Sequence, residues 1–248
     1  MIINSKQNPL IKFAKSLTET KYIKQNNLCL VESKKVVLDL INKNLITEIL
    51  ITEKNADAFK FFKGKITLIS PEISHFLSET KTDDGVFGLC KIISKTKPDG
   101  DRVIVLDNVQ DPSNVGAIIR SAVAFGFNNI IMLNGAYPYS SKVIRSSMGY
   151  VFDVNIFSFN YQNLVDFISK NKYNLVKADL NGTKLNDFTP NLPLALVIGN
   201  EGNGVSDEIK KICLSSVNIP MDSKVESLNA SVSAGILMWA INNKLENK

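Results

Sequence analysis

The chain has 248 residues, 44% hydrophobic and 21% charged, enough to bury one large core or two modest ones. No apolar run is long enough to cross a bilayer and MIINSKQNPL lacks a signal-peptide pattern, so a cytoplasmic address and no membrane partner are expected. Three scattered cysteines, Cys29, Cys90 and Cys213, and the single His75 lack zinc spacing, so neither a disulfide framework nor a metal site is expected. The net charge of +5 is unevenly placed: residues 1–95 hold 15 Lys against 10 Asp and Glu, whereas residues 96–248 hold 14 charges of each sign. A polyanion-facing N-terminal module explains this asymmetry, as does a merely lysine-rich solvated surface.

In chain order, SKQNPLIKFAKSLTETKYIKQNN predicts a helix carrying Lys12, Lys15, Lys21 and Lys24. CLVES, ITEILIT, ITLIS and GVFGLCKII predict short strands, with helices at KKVVLDLINK and PEISHFLSE, so this part reads as a small α/β domain. SKTKPDGD, Ser94 to Asp101, reads as a linker and separates a domain at 1–95 from one at 96–248. RVIVLD, SNVGAIIRSAVAFG and NIIML then follow as strand, helix and strand, which implies a parallel sheet. YNLVKAD, LALVIG and SSVNIP extend it, with helices around YQNLVDFISK and SVSAGILMWAINNKL.

Three turns carry the chemistry. In LDNVQDPSNVGAIIR, the cluster from Asp111 to Asn114 predicts a helix start and Gly126 its stop. Val115, Ile118, Ile119, Ala122 and Val123 share the core face, leaving Gly116 and Arg120 stacked on another stripe, where Arg120 leans back over Gly116 toward Asn114. Free N–H groups, the helix dipole and a guanidinium fork there suit a phosphate or a developing oxyanion; a surface arginine above a packing glycine fits the same residues. In VIGNEGNG, the glycines Gly199, Gly202 and Gly204 do not follow the dinucleotide order, and no phosphate-loop pattern occurs elsewhere. Glu201 would repel a phosphate, so the loop suits a cationic or donor-rich ligand, unless it is a plain turn with a solvent-facing Glu. In NIPMDSKVESLNASVSAGILMWA, Ser227 or Asn229 can cap a helix whose first residues, Ala230 to Gly235, are small enough to press against a strand or a partner subunit. Ile236 to Trp239 read as core or interface.

Together, Asn114, Gly116 and Arg120 in NVGAIIRSA, then Gly199, Glu201, Gly202 and Gly204 in GNEGNGV, then IPM and ESLNASVSAGI between Ile219 and Ile236, resemble the SpoU-type (TrmH-like) RNA ribose 2′-O-methyltransferases. Weaker similarity runs through KVIRSSMG, NPLIK and LVES, so that it covers nearly the whole chain. The resemblance implies an α/β fold of SPOUT kind: a C-terminal parallel-sheet domain with a deep trefoil knot, preceded by a small ribosomal-protein-like RNA-binding domain. It also implies a homodimer whose active site draws on both subunits, and S-adenosylmethionine held bent by the second and third loops. Gly199, Ile219 and Leu228 would contact this cofactor through main-chain atoms. Its sulfonium and lack of phosphate are compatible with Glu201.

The implied reaction is in-line methyl transfer to a ribose 2′-hydroxyl, with Arg120 at the reacting sugar. An arginine with a pKa above about 12 is a poor base, so Arg120 is expected to bind the adjacent RNA phosphate and help position the hydroxyl. Asn114, Glu201, Ser227 and Asn229 would orient Arg120 and the substrate loop. The extra N-terminal domain favours ribosomal over transfer RNA. Family members commonly carry glycine where this chain has Ser33 and Ser223, so altered turns are expected there. A non-catalytic RNA-binding assembly factor is the alternative from another class, and a nucleotide-dependent α/β enzyme is disfavoured by the glycine order and Glu201.

Overall fold

A computed structural model describes residues 2–246. The chain divides into two compact units, Met1–Ile93 with Tyr139–Arg145, and Ser94–Pro138 with Ser146–Lys248.

The first unit carries β1 (Ile2–Ile3), α1 (Pro9–Ser16), α2 (Thr20–Asn26), β2 (Leu28–Glu32), α3 (Lys34–Asn42), β3 (Ile46–Thr52), β4 (Lys65–Ile69), α4 (Pro71–Leu77) and β5 (Val86–Lys91). Its mixed five-stranded sheet has the order β1-β4-β3-β5-β2. The single helix expected at the start is two. Asn8 caps α1 by accepting from the Leu10 amide at 2.9 Å, with Pro9 at the first helical position. The Ser16 and Thr18 hydroxyls then bond to the Phe13 and Lys15 carbonyls, offering the backbone an exit from the helix before α2 restarts. Ile11, Ala14 and Leu17 bury against Leu30, Leu50, Ile73 and Phe87. Lys12, Lys21 and Lys24 are exposed, whereas Lys15 donates to the Leu77 carbonyl at 3.3 Å.

Ser33 stands between β2 and α3 with φ 117°, in the region that favours glycine. The turn keeps its shape because the Ser33 amide donates to the Val86 carbonyl at 3.3 Å and the Lys34 amide to Asp84 at 2.7 Å. Ser223 has no such positive φ.

The second unit holds β6 (Arg102–Asp107), α5 (Pro112–Ala124), β7 (Asn129–Leu133), β8 (Asn155–Ser158), α7 (Tyr161–Asn171), β9 (Asn174–Lys184), β10 (Leu194–Ile198), α8 (Asp207–Ile212), β11 (Ser215–Asn218) and α9 (Ala230–Glu246); α6 (Ser141–Ser146) spans the division. Its six strands are all parallel in the order β11-β9-β10-β6-β7-β8. β7 and β10 are buried along their whole length, as strands covered on both faces must be, so they read as continuous apolar runs. Leu164 of α7 and Ile209 of α8 join the core around Val103, Val105, Ile131 and Val197, and α5 packs on α9.

β8 and α8 had no clear sequence signal, being four and six residues long. β9 runs well past YNLVKAD: its first half, to Lys177, pairs with β10 on one side and with Ser215 and Ser216 of β11 on the other, and after a register shift its end, Thr183 and Lys184, pairs with Val217 and Asn218. Beyond Asp107, the chain turns toward α5. The fully buried Asp107 carboxylate accepts from the Tyr161 hydroxyl at 2.9 Å and the Ser206 amide at 2.6 Å, anchoring the carboxyl end of β6. Among the described residues, no helix is long and apolar enough to cross a membrane, and no group of three or more His, Cys, Asp or Glu could hold a metal.

Ser33→Gly is expected to stabilise the protein by about 1 kcal/mol, because relief of the backbone strain exceeds the added chain entropy of glycine. Thermal melts read this as a higher Tm; an unchanged or lower Tm would show that the turn costs nothing.

Candidate active site

Chain progression reverses direction in the second sheet where β10 lies beside β6, and a cleft of about 410 Å³ opens at the carboxyl ends of β10 and β11, beside the middle of β9. Its walls are the segments Ala178–Asn181, Ile198–Val205, Val217–Ile219 and Ser227–Leu228, with Leu237 of α9. Gly199, Ile219 and Leu228 all line it, as do Glu201 and Ser227.

The loop after β10 folds on itself. Asn200 and Gly204 exchange both backbone hydrogen bonds, at 2.8 and 2.9 Å, and the Asn200 side-chain oxygen accepts from the Gly202 and Asn203 amides at 2.9 and 3.1 Å. Its side-chain nitrogen donates to the Asn108 carbonyl at 3.0 Å, tying the loop to the end of β6. A Cβ on Gly199 would fall inside the Gly204 carbonyl group, so only glycine permits this closure. Asn200 was not singled out in the sequence; the signal available was an Asn able to form an Asx turn just ahead of the glycines.

Glu201 leaves this loop toward α5. The nearly buried Asn114 donates through Nδ2 to Glu201 Oε1 at 2.8 Å, and its Oδ1 accepts from Asn229 Nδ2 at 3.0 Å. The other Glu201 oxygen receives the Gln110 amide at 3.5 Å. Asn229 also caps α9, its Oδ1 accepting from the Ser231 amide at 2.8 Å, so capping and linking are performed by opposite ends of one amide. Ser227 is exposed, and among the described residues its hydroxyl has no partner.

The largest single influence on the Glu201 carboxyl is burial, which raises its pKa. The hydrogen bonds from Asn114 and from the backbone amides of Glu201, Gln110 and Asp111 together outweigh it, and the pKa lies below its ordinary value. The carboxylate is therefore ionised at neutral pH. Because the folded-state pKa is lowered, its contribution to stability is present above the ordinary Glu range and is lost as pH falls through the lowered value.

Arg120 lies on the exposed side of α5, and among the described residues no carboxylate pairs with it. One expectation about its setting needs correction. The space over Gly116 is not open for Arg120: a Cβ there would strike the Ser146 side chain and stand 2.8 Å from the Ser147 amide nitrogen. Ser146 in turn donates to the Pro112 carbonyl at 3.2 Å, so Gly116 admits a neighbouring segment rather than the arginine above it.

The model of the SpoU rRNA methylase family matches residues 101–239, more than half of the chain. The chain belongs to the SpoU rRNA methylase family. Among relatives, the 23S rRNA (guanosine(2553)-2′-O)-methyltransferase RlmP of Bacillus subtilis is 26% identical over 241 residues, covering 96% of this chain and 97% of its own. An uncharacterised tRNA/rRNA methyltransferase of Archaeoglobus fulgidus is 35% identical over 155 residues, 62% of this chain and 69% of its own. The fold is shared over 99% of the chain with the AdoMet-bound rRNA methyltransferase of Sinorhizobium meliloti, at a TM-score of 0.87 and 23% identity, with 98% of that chain covered. It is likewise shared over 97% of the chain with AviRb of Streptomyces viridochromogenes, at a TM-score of 0.88 and 21% identity, with 99% of that chain covered.

A carbon-detected titration of the Glu201 carboxyl is expected to report a pKa below the ordinary Glu range, moving upward in Asn114→Ala. A pKa that does not move on this substitution would contradict the hydrogen-bond account.

Proposed function

We propose that this protein transfers the methyl group of S-adenosylmethionine to a ribose 2′-hydroxyl of ribosomal RNA. The observation that carries the proposal is the Asn229–Asn114–Glu201 hydrogen-bond chain, which joins three separate segments of the sequence at the rim of one cleft.

The cleft fits this cofactor on chemical grounds. Its floor is apolar, with Ile198, Val217 and Leu237; of the charges around it, Asp179 is paired with Lys177 at 2.5 Å and Lys210 with Asp207 at 3.0 Å, which leaves the Glu201 carboxylate, without a cationic partner among the described residues, to suit a cationic ligand. When bound, S-adenosylmethionine supplies the electrophilic methyl. Gly199, Ile219 and Leu228, which line the cleft, would hold it through loop shape and main-chain groups. Arg120, unpaired and exposed, binds the RNA phosphate beside the target sugar and places the 2′-oxygen. Asn114, Glu201, Ser227 and Asn229 set the loops in which this alignment happens. The guanidinium does not accept the proton, which leaves for water as the oxygen bonds the methyl carbon and the sulfonium's bond to that carbon breaks.

The units divide the work. Residues 96–248, apart from Tyr139–Arg145, which cluster with the first unit, form the methyltransferase domain, with the closing segment threaded as the deep trefoil knot expected of the family; the convergence of the β10 and β11–α9 loops on one cleft supports this. Residues 1–95, with their lysine excess, form the ribosomal-protein-like RNA-binding domain. A homodimer is supported by α9, where Val232, Ile236 and Trp239 lie on one face and Trp239 is 55% exposed. Ribosomal RNA is supported over transfer RNA by RlmP, which aligns over nearly its full length. A cytoplasmic address agrees with such a substrate.

Arg120→Ala is expected to abolish transfer of labelled methyl groups to ribosomal RNA while calorimetry finds S-adenosylmethionine affinity nearly intact. Normal turnover in this variant would refute the mechanism. Neutralising Lys12, Lys21 and Lys24 is expected to weaken RNA binding and flatten its dependence on salt; an unchanged salt slope would argue against an RNA-facing surface.

A further inference from the structure

A second cavity, of about 220 Å³, lies within the first unit and takes no part in the site described above. It is smaller than the roughly 300–1,000 Å³ usual for ligand pockets, a size suited to one ring system rather than a whole nucleotide. Leu30 and Ile144, both almost fully buried, give it apolar surface. Its polar lining includes Glu32, Asp84 and Arg145.

The two carboxylates are held in place. Glu32 accepts from the Ser78 and Thr80 hydroxyls and from the Glu79 amide at 3.2 Å, which fixes it as a wall with little remaining capacity. Asp84 uses one oxygen on the Lys34 amide at 2.7 Å, and its second oxygen has no partner among the described residues. Arg145 has a single long contact, 4.0 Å to Glu79, and its side chain is 46% exposed, leaving most of its fork open. The strained Ser33 turn also lines the cavity and sets the entry of α3, whose first amide fixes Asp84.

A flat ring placed on the apolar surface would meet an acceptor-only carboxylate at one edge and a donor-only guanidinium at another. Among the four RNA bases, guanine alone offers two adjacent donors, N1–H and the 2-amino group, together with the O6 and N7 acceptors that a guanidinium takes in bidentate fashion. Sequence-specific RNA recognition works largely on splayed, unpaired bases of this kind. We infer that this cavity receives one unpaired guanine of the RNA, with Asp84 accepting from its N1–H and 2-amino edge and Arg145 donating to O6 and N7. The inference rests on the reading of the protein as an RNA methyltransferase, and it adds a base-specific subsite to a domain otherwise argued from charge alone.

The test uses the full chain and short fluorescent oligouridines carrying one central guanosine, inosine, adenosine or cytidine. Anisotropy is expected to find the guanosine probe bound roughly tenfold more tightly than the adenosine probe, with inosine intermediate because it lacks the 2-amino donor. Asp84→Asn and Arg145→Lys are each expected to erase this preference while leaving the adenosine probe's affinity unchanged; Arg145→Lys keeps the charge but removes the fork. Equal wild-type affinity for all four probes, or a preference that survives both substitutions, would overturn the inference. Calorimetry with S-adenosylmethionine on the same samples separates the two claims. A guanosine preference in protein that does not bind the cofactor supports this subsite and removes the methyltransferase reading, whereas cofactor binding without a base preference does the reverse.

Discussion

One side-chain amide organises the second unit. Asn114 stands at the start of α5, nearly buried, and spends its donor on Glu201 and its acceptor on Asn229. The first of these partners belongs to the loop after β10, the second to the start of α9. Three chain segments far apart in sequence are thereby held by groups that have few alternatives, since a buried amide left half-satisfied would cost about 1–3 kcal/mol. The ionised state of Glu201 belongs to the same arrangement, because donation from Asn114 and Gln110 favours the charged form.

The rest of the cleft is built from backbone. Gly199 lets the β10 loop close against Gly204, and Asn200 turns the following amides inward to its own side chain. Such a surface offers a ligand shape and main-chain donors and acceptors, and apolar residues such as Ile219 and Leu228 line it. Asp179 at the rim is paired with Lys177, so the acidic character of the cleft rests on Glu201. Arg120 stands apart from this cleft lining, exposed on the outer side of α5 and without a carboxylate partner among the described residues.

Much of this was legible in the residues. The strand–helix–strand rhythm around RVIVLD and NIIML carried the parallel sheet, because buried parallel strands are continuous apolar runs. The segments bearing Asn114, Glu201 and Asn229 stood out through capping types, glycines and small residues. Their mutual hydrogen bonds were not legible, since separations of 87 and 115 residues leave no local trace. Nor was the role of Gly116: helical spacing placed Arg120 above it, but the vacancy is filled by Ser146 from another part of the chain. The polar second half of β9 escaped notice because backbone pairing with β11 needs no apolar side chains. The break between α1 and α2 lay in Ser16 and Thr18, whose back-bonding to the helix competes with the periodicity around them.

The central claim is that Asn114 shapes a cofactor-gripping cleft which it does not itself line. Calorimetric titration of S-adenosylmethionine into Asn114→Ala beside the parent protein tests it most directly. The account predicts affinity weakened roughly tenfold, the worth of about one hydrogen bond. Identical affinities would show that the loops hold their shape without the amide, and would contradict it.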